Sequence, residues 1–114
     1  MIYRPDQGSL IVRPTADPDC PWDLPGGRHI SRTDPELELR RLCHEQVGCD
    51  VQVLAGRPAV PHGHGSGRVV YRLYMCTVAA DEALPLGCAA VRWVPRAGLS
   101  EFAFAAGIGA LIQP

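Results

Sequence analysis

Residues 22 to 49 read WDLPGGRHISRTDPELELRRLCHEQVGC and contain the strongest structural signals of this chain. Two adjacent glycines after Pro25 predict a tight bend where side chains would be in the way. Asp34 is a good helix N-cap, and Pro35 suits the first helical position because its missing N–H costs nothing there. Gly48 fits a left-handed helix stop. A helix is therefore predicted from about Pro35 to Val47.

Alternating apolar residues on both sides of this helix predict several strands. The predicted strands are Ser9–Arg13, Val51–Ala55, Arg68–Val78 and Ala90–Val94. A loop is predicted from Pro58 to Gly67, and a short helix from Gly107 to Ile112. The order of strand, helix, several strands and helix predicts an α/β (α+β) fold, with a mixed sheet between helices.

Length and composition predict one soluble domain spanning residues 1–114. Hydrophobic residues make up 46% of the chain and charged residues 20%, which is typical of globular proteins. A net charge of −1 argues against nucleic acid polymers and membrane surfaces as partners. The five cysteines form no CxxC pair, and no signal peptide or membrane span is evident. We therefore expect a cytoplasmic protein that acts on a small molecule.

The segment from Gly27 to Cys49 resembles the Nudix box, whose pattern is G-x5-E-x7-R-E-U-x-E-E-x-G-U, with U an aliphatic residue. The matching positions that set the register are Gly27, Arg41, Glu45 and Gly48. Residues 22–27 also resemble the family's lead-in, and residues 91–95 resemble its closing strand. The resemblance covers nearly the whole chain. It implies the Nudix fold and hydrolysis of a diphosphate linkage with Mg²⁺ or Mn²⁺.

Three departures from this pattern remove carboxylates that would hold the metal. Thr33, Leu42 and Gln46 stand where the pattern has glutamates, so Glu45 is the one carboxylate of four that remains. Mg²⁺ usually needs charge from its ligands or from substrate phosphates. The sequence therefore predicts no metal cofactor, or Mg²⁺ or Mn²⁺ bound weakly with Glu45 as ligand.

Acid–base chemistry would need other groups, and the helix offers one. Glu38 lies on roughly the same helix face as Glu45, so the two could form a displaced acidic pair. Alternatively, Glu38 lies in water and is ion-paired with Arg41 or Arg40. Arg41 and Glu45 are four residues apart, so their pairing could simply orient the helix.

Two histidines in the predicted loop are further catalytic candidates. His62 and His64 flank a glycine, and a histidine with a near-neutral pKa could act as a general base in place of the missing carboxylates. Alternatively, they belong to a solvated glycine-rich turn. The predicted substrate-binding residues lie at the bend and on the helix: Gly27, Arg28, His29, Arg41 and Gln46.

The front of the chain is short for a Nudix domain, which usually begins with a full strand. Four residues, 1–4, precede the turn signal at residues 6–8. The first strand is therefore very short, or the sheet lacks an edge strand. An exposed edge favours pairing with a second copy, so a homodimer is possible.

Three functions remain open. The first is an enzyme of altered, metal-independent acid–base chemistry on a small metabolite. The second is a weakly metal-dependent pyrophosphohydrolase acting on a nucleoside diphosphate linked to another group. The third is a non-catalytic ligand-binding module. Fold resemblance cannot choose among them, because function belongs to the site.

Overall fold

A computed structural model of the chain describes residues 1–27, 34–64, 67–78, 82–105 and 107–112, with the backbone alone given for 62–64 and 67–69. The elements are β1 (Tyr3–Arg4), β2 (Gly8–Arg13), α1 (Pro35–Val47), β3 (Gln52–Gly56), β4 (Val60–His64), β5 (Gly67–Tyr71), β6 (Tyr74–Thr77), β7 (Ala90–Val94), a 3₁₀ helix (Arg96–Glu101) and α2 (Ile108–Ile112). Within these ranges, no helix is long and apolar enough to cross a membrane.

The caps of helix α1 explain its bounds. The Asp34 carboxylate accepts a hydrogen bond from the backbone N–H of Glu36 at 3.0 Å. At the other end Gly48 has φ 72°, in the left-handed region, and its N–H donates to the carbonyl of His44. Both caps satisfy backbone groups that a helix leaves unpaired at its ends. The predicted helix from Pro35 to Val47 is confirmed.

The strands form a mixed sheet in the order β3-β6-β1-β2-β7. Strand β2 pairs antiparallel with β1 and β7, and β3 pairs antiparallel with β6. The two groups meet at a parallel bridge between Ile2 and Cys76, where the N–H of Cys76 donates to the carbonyl of Met1 at 2.8 Å. The predicted mixed sheet and the shortened first strand are confirmed.

The short first strand is not an exposed edge. Strand β1 lies between β2 on one side and β6 on the other, as the hydrogen bond from Leu10 N–H to the Ile2 carbonyl and the bridge from Ile2 to Cys76 show. The reasoning that a lost edge favours dimerisation is therefore wrong, because both sides of this segment are already paired. Homodimer formation stays a prediction without that support.

Both faces of the sheet are covered, as strand β2 shows most clearly. Leu10 and Val12 belong to a core cluster that includes Cys43 and Val47 of α1. Ile11, between them, packs in a second cluster with Val94 and with Leu99 of the 3₁₀ helix, with aromatic rings at its border. Successive side chains of a strand point to opposite faces. The sheet is therefore enclosed between α1 and the 3₁₀ helix, as the predicted α/β fold requires.

The long strand predicted from Arg68 to Val78 is wrong. The chain instead forms β5 and β6, which are separated by two residues and pair with different partners. Leu73 is buried, and so are Cys76 and Val78, so the alternation of buried residues shifts by one between Leu73 and Cys76. A continuous strand would have kept the same alternation of buried and exposed side chains along its whole length. The sequence pattern could not show this break because both halves are apolar.

The loop predicted from Pro58 to Gly67 is also wrong over most of its length. Strand β4 pairs antiparallel with β5, and Pro61 lies opposite Val70. Proline and glycine disfavour strands, but an edge strand tolerates a proline because its N–H side needs no partner. Pairing with β5 therefore overrides the weak strand propensity of this segment.

We predict that Gly8→Ala strongly destabilises the fold. Gly8 has φ 94°, and an added Cβ would lie 2.2 Å from the carbonyl oxygen of Val94 and 2.7 Å from the Cα of Pro95. The strained backbone and the clash together should lower the free energy of unfolding by about 2–4 kcal/mol, measured by urea denaturation.

The matched control for this change is Gly109→Ala in α2. An added Cβ there meets no atom within 4 Å, and alanine favours a helix. This variant should be neutral or slightly stabilised. An equal decrease in the free energy of unfolding in the two variants would contradict the close approach of Gly8 to β7.

Candidate functional site

An open cavity of about 900 Å³ lies beside the glycine bend. Its walls come from the bend, helix α1, the segment from β5 to β6, and the C-terminal segment that includes α2. Many of the residues lining it are apolar, among them Leu24, Leu39, Leu42, Leu73 and Leu111. A cavity of this size and character can hold a small organic molecule.

The bend is attached to helix α1 by one side chain. The Nε2 of Gln46 donates to the carbonyl oxygen of Gly26 at 2.7 Å, and the N–H of Gly26 donates to the Oε1 of Gln46 at 2.9 Å. Both polar ends of the amide are therefore used by the backbone of a single residue. A glutamate could accept the N–H but could not donate to the carbonyl. This contact explains a glutamine at a position where the Nudix pattern has a carboxylate.

Arg41 lies between the two helical glutamates. Its Nη1 is 2.7 Å from Glu45 Oε1, its Nε donates to Glu38 Oε2 at 3.3 Å, and its Nη2 also contacts Glu38. Hydrogen bonds to Glu38, and then to Glu45, raise the pKa of Arg41. Glu38 is thus ion-paired with Arg41, as the second interpretation of this residue expected. The same contacts join it to Glu45 through one guanidinium.

The two glutamates differ in their relation to the cavity. Glu38 is among the residues that line it, and its side chain is 22% exposed. Glu45 is not among the described lining residues, and its side chain is 55% exposed. Gly27, one of the predicted substrate-binding residues, lines the cavity. Arg41 and Gln46 are not among the described lining residues, but each contacts one of them: Arg41 contacts Glu38, and Gln46 contacts Gly26.

The described residues do not fit an Mg²⁺ or Mn²⁺ site. Leu42 packs against the bend, since a Cβ on Gly27 would lie 3.4 Å from its Cδ1. The Gly26 carbonyl accepts from Gln46, and one oxygen of Glu45 is bound to Arg41. Within the described part of the chain no group of three His, Cys, Asp or Glu side chains is placed to hold a metal. Hard divalent cations prefer several oxygen ligands, at least one of them charged.

Four predicted site residues lie where no side chain is described. Arg28 and His29 are outside the described residues. His62 and His64 belong to strand β4, which is described through its backbone. Ala59, directly before β4, lines the cavity, so the strand that carries the histidines starts at the cavity border.

Asp23 is a candidate residue that the sequence reasoning missed. It lines the cavity directly before the bend and is half-buried. Burial raises the pKa of its carboxyl, and a hydrogen bond from the Leu24 N–H to Oδ1 at 2.7 Å acts in the opposite direction. The sequence feature that could have indicated this residue is an acidic position between two large apolar neighbours, Trp22 and Leu24, directly before the bend.

Comparisons with known proteins support the fold. No protein-family model matches the sequence, and no curated protein matches it. Among solved structures, the chain is similar to a Nudix hydrolase from M. smegmatis, RenU, with 24% identity over 98% of this chain and 76% of that one, and a TM-score of 0.72.

Two further structures show the same likeness. The C. elegans Ap4A hydrolase, in a binary complex, has 15% identity and a TM-score of 0.76 over 97% of this chain and 87% of that one. The NUDIX domain of Shewanella oneidensis NrtR, complexed with ADP ribose, has 20% identity and a TM-score of 0.72 over 97% of this chain and 77% of that one. Likeness at this level of identity shows architecture, and the architecture of this chain is the Nudix hydrolase fold.

Proposed function

We propose that this chain is a Nudix-fold enzyme that performs acid–base chemistry on a small molecule without a divalent metal ion. The reciprocal contact between Gln46 and the backbone of Gly26 is the observation that supports this most. A backbone carbonyl is a good ligand for a hard cation, but this one accepts a hydrogen bond from the side-chain amide of Gln46. Leu42 makes the adjoining wall apolar. The arrangement stabilises the bend without the charge of a metal.

Glu38 is the helical carboxylate that we propose for proton transfer. It lines the cavity, whereas Glu45 is not among the described lining residues and contacts Arg41. The three contacts between Arg41 and its two glutamates hold Glu38 in one position, which a general acid or base requires. His62 and His64 remain candidates for the second proton-transfer group, because strand β4 starts at the cavity border.

A weakly metal-dependent pyrophosphohydrolase is the first alternative. The Ap4A hydrolase among the structural neighbours acts on a compound that contains phosphoanhydride bonds, and Glu45 could contribute one ligand. A diphosphate beside the bend would, however, meet the carboxylate of Glu38 and the methyl groups of Leu42. Neither group stabilises phosphate charge, so this function needs a rearranged site.

A non-catalytic binding module is the second alternative, and the Arg41 contacts favour it. Both oxygens of Glu38 interact with Arg41, so fewer of its acceptor sites are left for chemistry on a ligand. The NrtR NUDIX domain is described with ADP ribose, so a nucleotide-like ligand is compatible with this architecture. Tight binding of a ligand that is recovered unchanged would support this alternative over the enzyme.

Calorimetric titration of the chelator-treated protein with Mg²⁺ and Mn²⁺, with and without ADP, tests metal independence. We expect no saturable heat up to low-millimolar metal, because one exposed carboxylate that is already paired with Arg41 is a weak ligand. Saturable binding that disappears in Glu45→Ala would instead restore the metal-dependent hydrolase.

Adding carboxylates to helix α1 should create a metal site beside the glycine bend. In the double variant Leu42→Glu/Gln46→Glu, two new carboxylates join Glu45 on one helix end, three and four residues apart. The change at Gln46 also places a carboxylate against the Gly26 carbonyl, which should cost about 1–3 kcal/mol of stability in chelator. Mn²⁺ should bind in calorimetry and raise the melting temperature.

A double variant with the same residue changes outside the cavity, Leu37→Glu/Gln7→Glu, is the matched control. It should show neither the loss of stability in chelator nor the recovery with Mn²⁺. Mn²⁺ could also leave the melting temperature of the Leu42→Glu/Gln46→Glu variant unchanged. In that case the proposal that the contact between Gln46 and Gly26 replaces a metal ion is wrong.

A further inference from the structure

We propose that the cavity binds an uncharged heteroaromatic ring that donates an N–H to the carboxylate of Asp23. This inference rests on the proposed function and names the class of ligand that the cavity takes. It concerns a residue outside the Nudix pattern and does not depend on the helical glutamates. It is carried by the position of Asp23, the hydrogen bonding of its carboxylate, and the distribution of charge around the cavity.

The position of Asp23 follows from an extended segment. Its backbone N–H donates to the carbonyl of Val12 at 2.7 Å, and its carbonyl accepts from the N–H of Val12 at 2.8 Å. The neighbouring side chains of Trp22 and Leu24 pack against the cluster around Ile11. Because side chains alternate along an extended chain, the carboxyl of Asp23 leaves on the opposite side. The backbone contacts with β2 hold it in that position.

The Asp23 carboxylate has acceptor capacity left for a ligand. Its Oδ1 accepts from the N–H of Leu24, and no contact to Oδ2 is recorded among the described residues. An ionised carboxyl offers about four acceptor sites. A half-buried carboxylate with one hydrogen bond is incompletely solvated, which costs free energy. A hydrogen-bond donor on the ligand would reduce this cost. The raised pKa of Asp23 agrees with incomplete solvation.

The other polar groups around the cavity favour a ligand portion without net charge. Helix α1 contributes Glu38, paired with Arg41, and the segment from β5 to β6 contributes Arg72, Tyr71 and Tyr74. The nitrogen of Met1 donates to the Tyr74 carbonyl at 2.5 Å. The described lining residues from the C-terminal segment are apolar. The described lining thus carries two carboxylates, Asp23 and Glu38, and two cationic groups, Arg72 and the Met1 ammonium. These charges roughly balance between apolar walls, which suits an uncharged ring.

The test compares two probes of nearly the same shape. Indole carries an N–H donor, and benzofuran has an oxygen acceptor in its place. We expect indole to bind at least about tenfold more tightly, because a hydrogen bond to a charged acceptor contributes on the order of that factor. Binding is followed by titration of backbone amide chemical shifts, which also reports whether residues of the cavity respond.

The variant Asp23→Asn should reduce this preference to within about twofold. Its side-chain oxygen can still accept from the Leu24 N–H, so its remaining group is an N–H₂ donor that cannot accept from indole. Asp19→Asn, at an exposed position outside the cavity, should keep the preference. Equal binding of indole and benzofuran to the wild type, no binding of either, or an unchanged preference in Asp23→Asn would each overturn the proposal.

The failure of this proposal and that of the metal-independent function are distinguishable. The metal titration does not involve Asp23, and the probe titration contains chelator throughout. The ring could belong to a free heterocycle or to the base of a nucleotide, and titrations with adenine and ADP separate these sources. Tighter binding of ADP identifies a nucleotide base, and tighter binding of adenine identifies a free heterocycle.

Stability as a function of pH gives a second test of the Asp23 environment. Burial raises its folded pKa above the ordinary value of 3.8, so the folded state binds this proton more tightly than the unfolded state. The ionised carboxylate therefore destabilises the fold. This destabilisation is complete at a pH above the folded pKa, and it disappears at a pH below the unfolded pKa.

Asp23→Asn should thus melt at a higher temperature than the wild type at pH 7, and the difference should shrink as the pH falls toward about 4. Asp19→Asn, at an exposed position, is the control for the loss of one negative charge. A lower melting temperature of Asp23→Asn at pH 7 would show that the carboxylate is well satisfied in the free protein, and it would remove the case for a ligand donor.

Discussion

The burial of strand β2 on both faces is the constraint from which the rest of the structure follows. Leu10, Ile11 and Val12 are each at most 3% exposed, and each such side chain contributes roughly 1.5–3 kcal/mol when it leaves water. The strand also bonds to β1 and β7, and Val12 makes two hydrogen bonds with Asp23. One strand therefore positions helix α1, the 3₁₀ helix and the entry to the glycine bend.

The glycine bend shows how a small chemical difference changes the kind of site a fold can form. At position 46 an amide and a carboxylate differ by one N–H₂ in place of an oxygen, and they have nearly the same shape. The amide completes the hydrogen bonding of Gly26 by itself. A carboxylate would leave the carbonyl facing another acceptor, and a cation between them would be needed to stabilise the pair. Gln46 thus satisfies both backbone polar groups of Gly26 without a bound cation.

The local features of the fold could be predicted from the sequence, and those that depend on pairing could not. The bounds of α1 follow from Asp34, Pro35 and Gly48, because capping is a matter of a few neighbouring residues. The break at residues 72 and 73 depends on which strands β5 and β6 pair with, and apolar residues on both sides of it carry no such information. Strand β4 formed against its local propensity for the same reason.

The candidate site was predictable to a similar extent. The motif located the bend and the helix, and the i, i+4 spacing indicated the contact between Arg41 and Glu45. That Glu38 lines the cavity and Glu45 does not depends on how α1 packs. Asp23 was missed because an acidic residue before a turn is usually solvated, and its burial arises from β2.

The contact between Gly26 and Gln46 joins two residues that are twenty positions apart, so it closes a loop in the chain. The entropy of closing a flexible loop grows with the logarithm of its length, about 0.6 kcal/mol for each doubling. Once both ends are held by hydrogen bonds and by the core, the number of residues between the bend and the helix has little influence on stability. Insertions or deletions between the bend and helix α1 should therefore cost little stability, as long as the contact between Gly26 and Gln46 is kept.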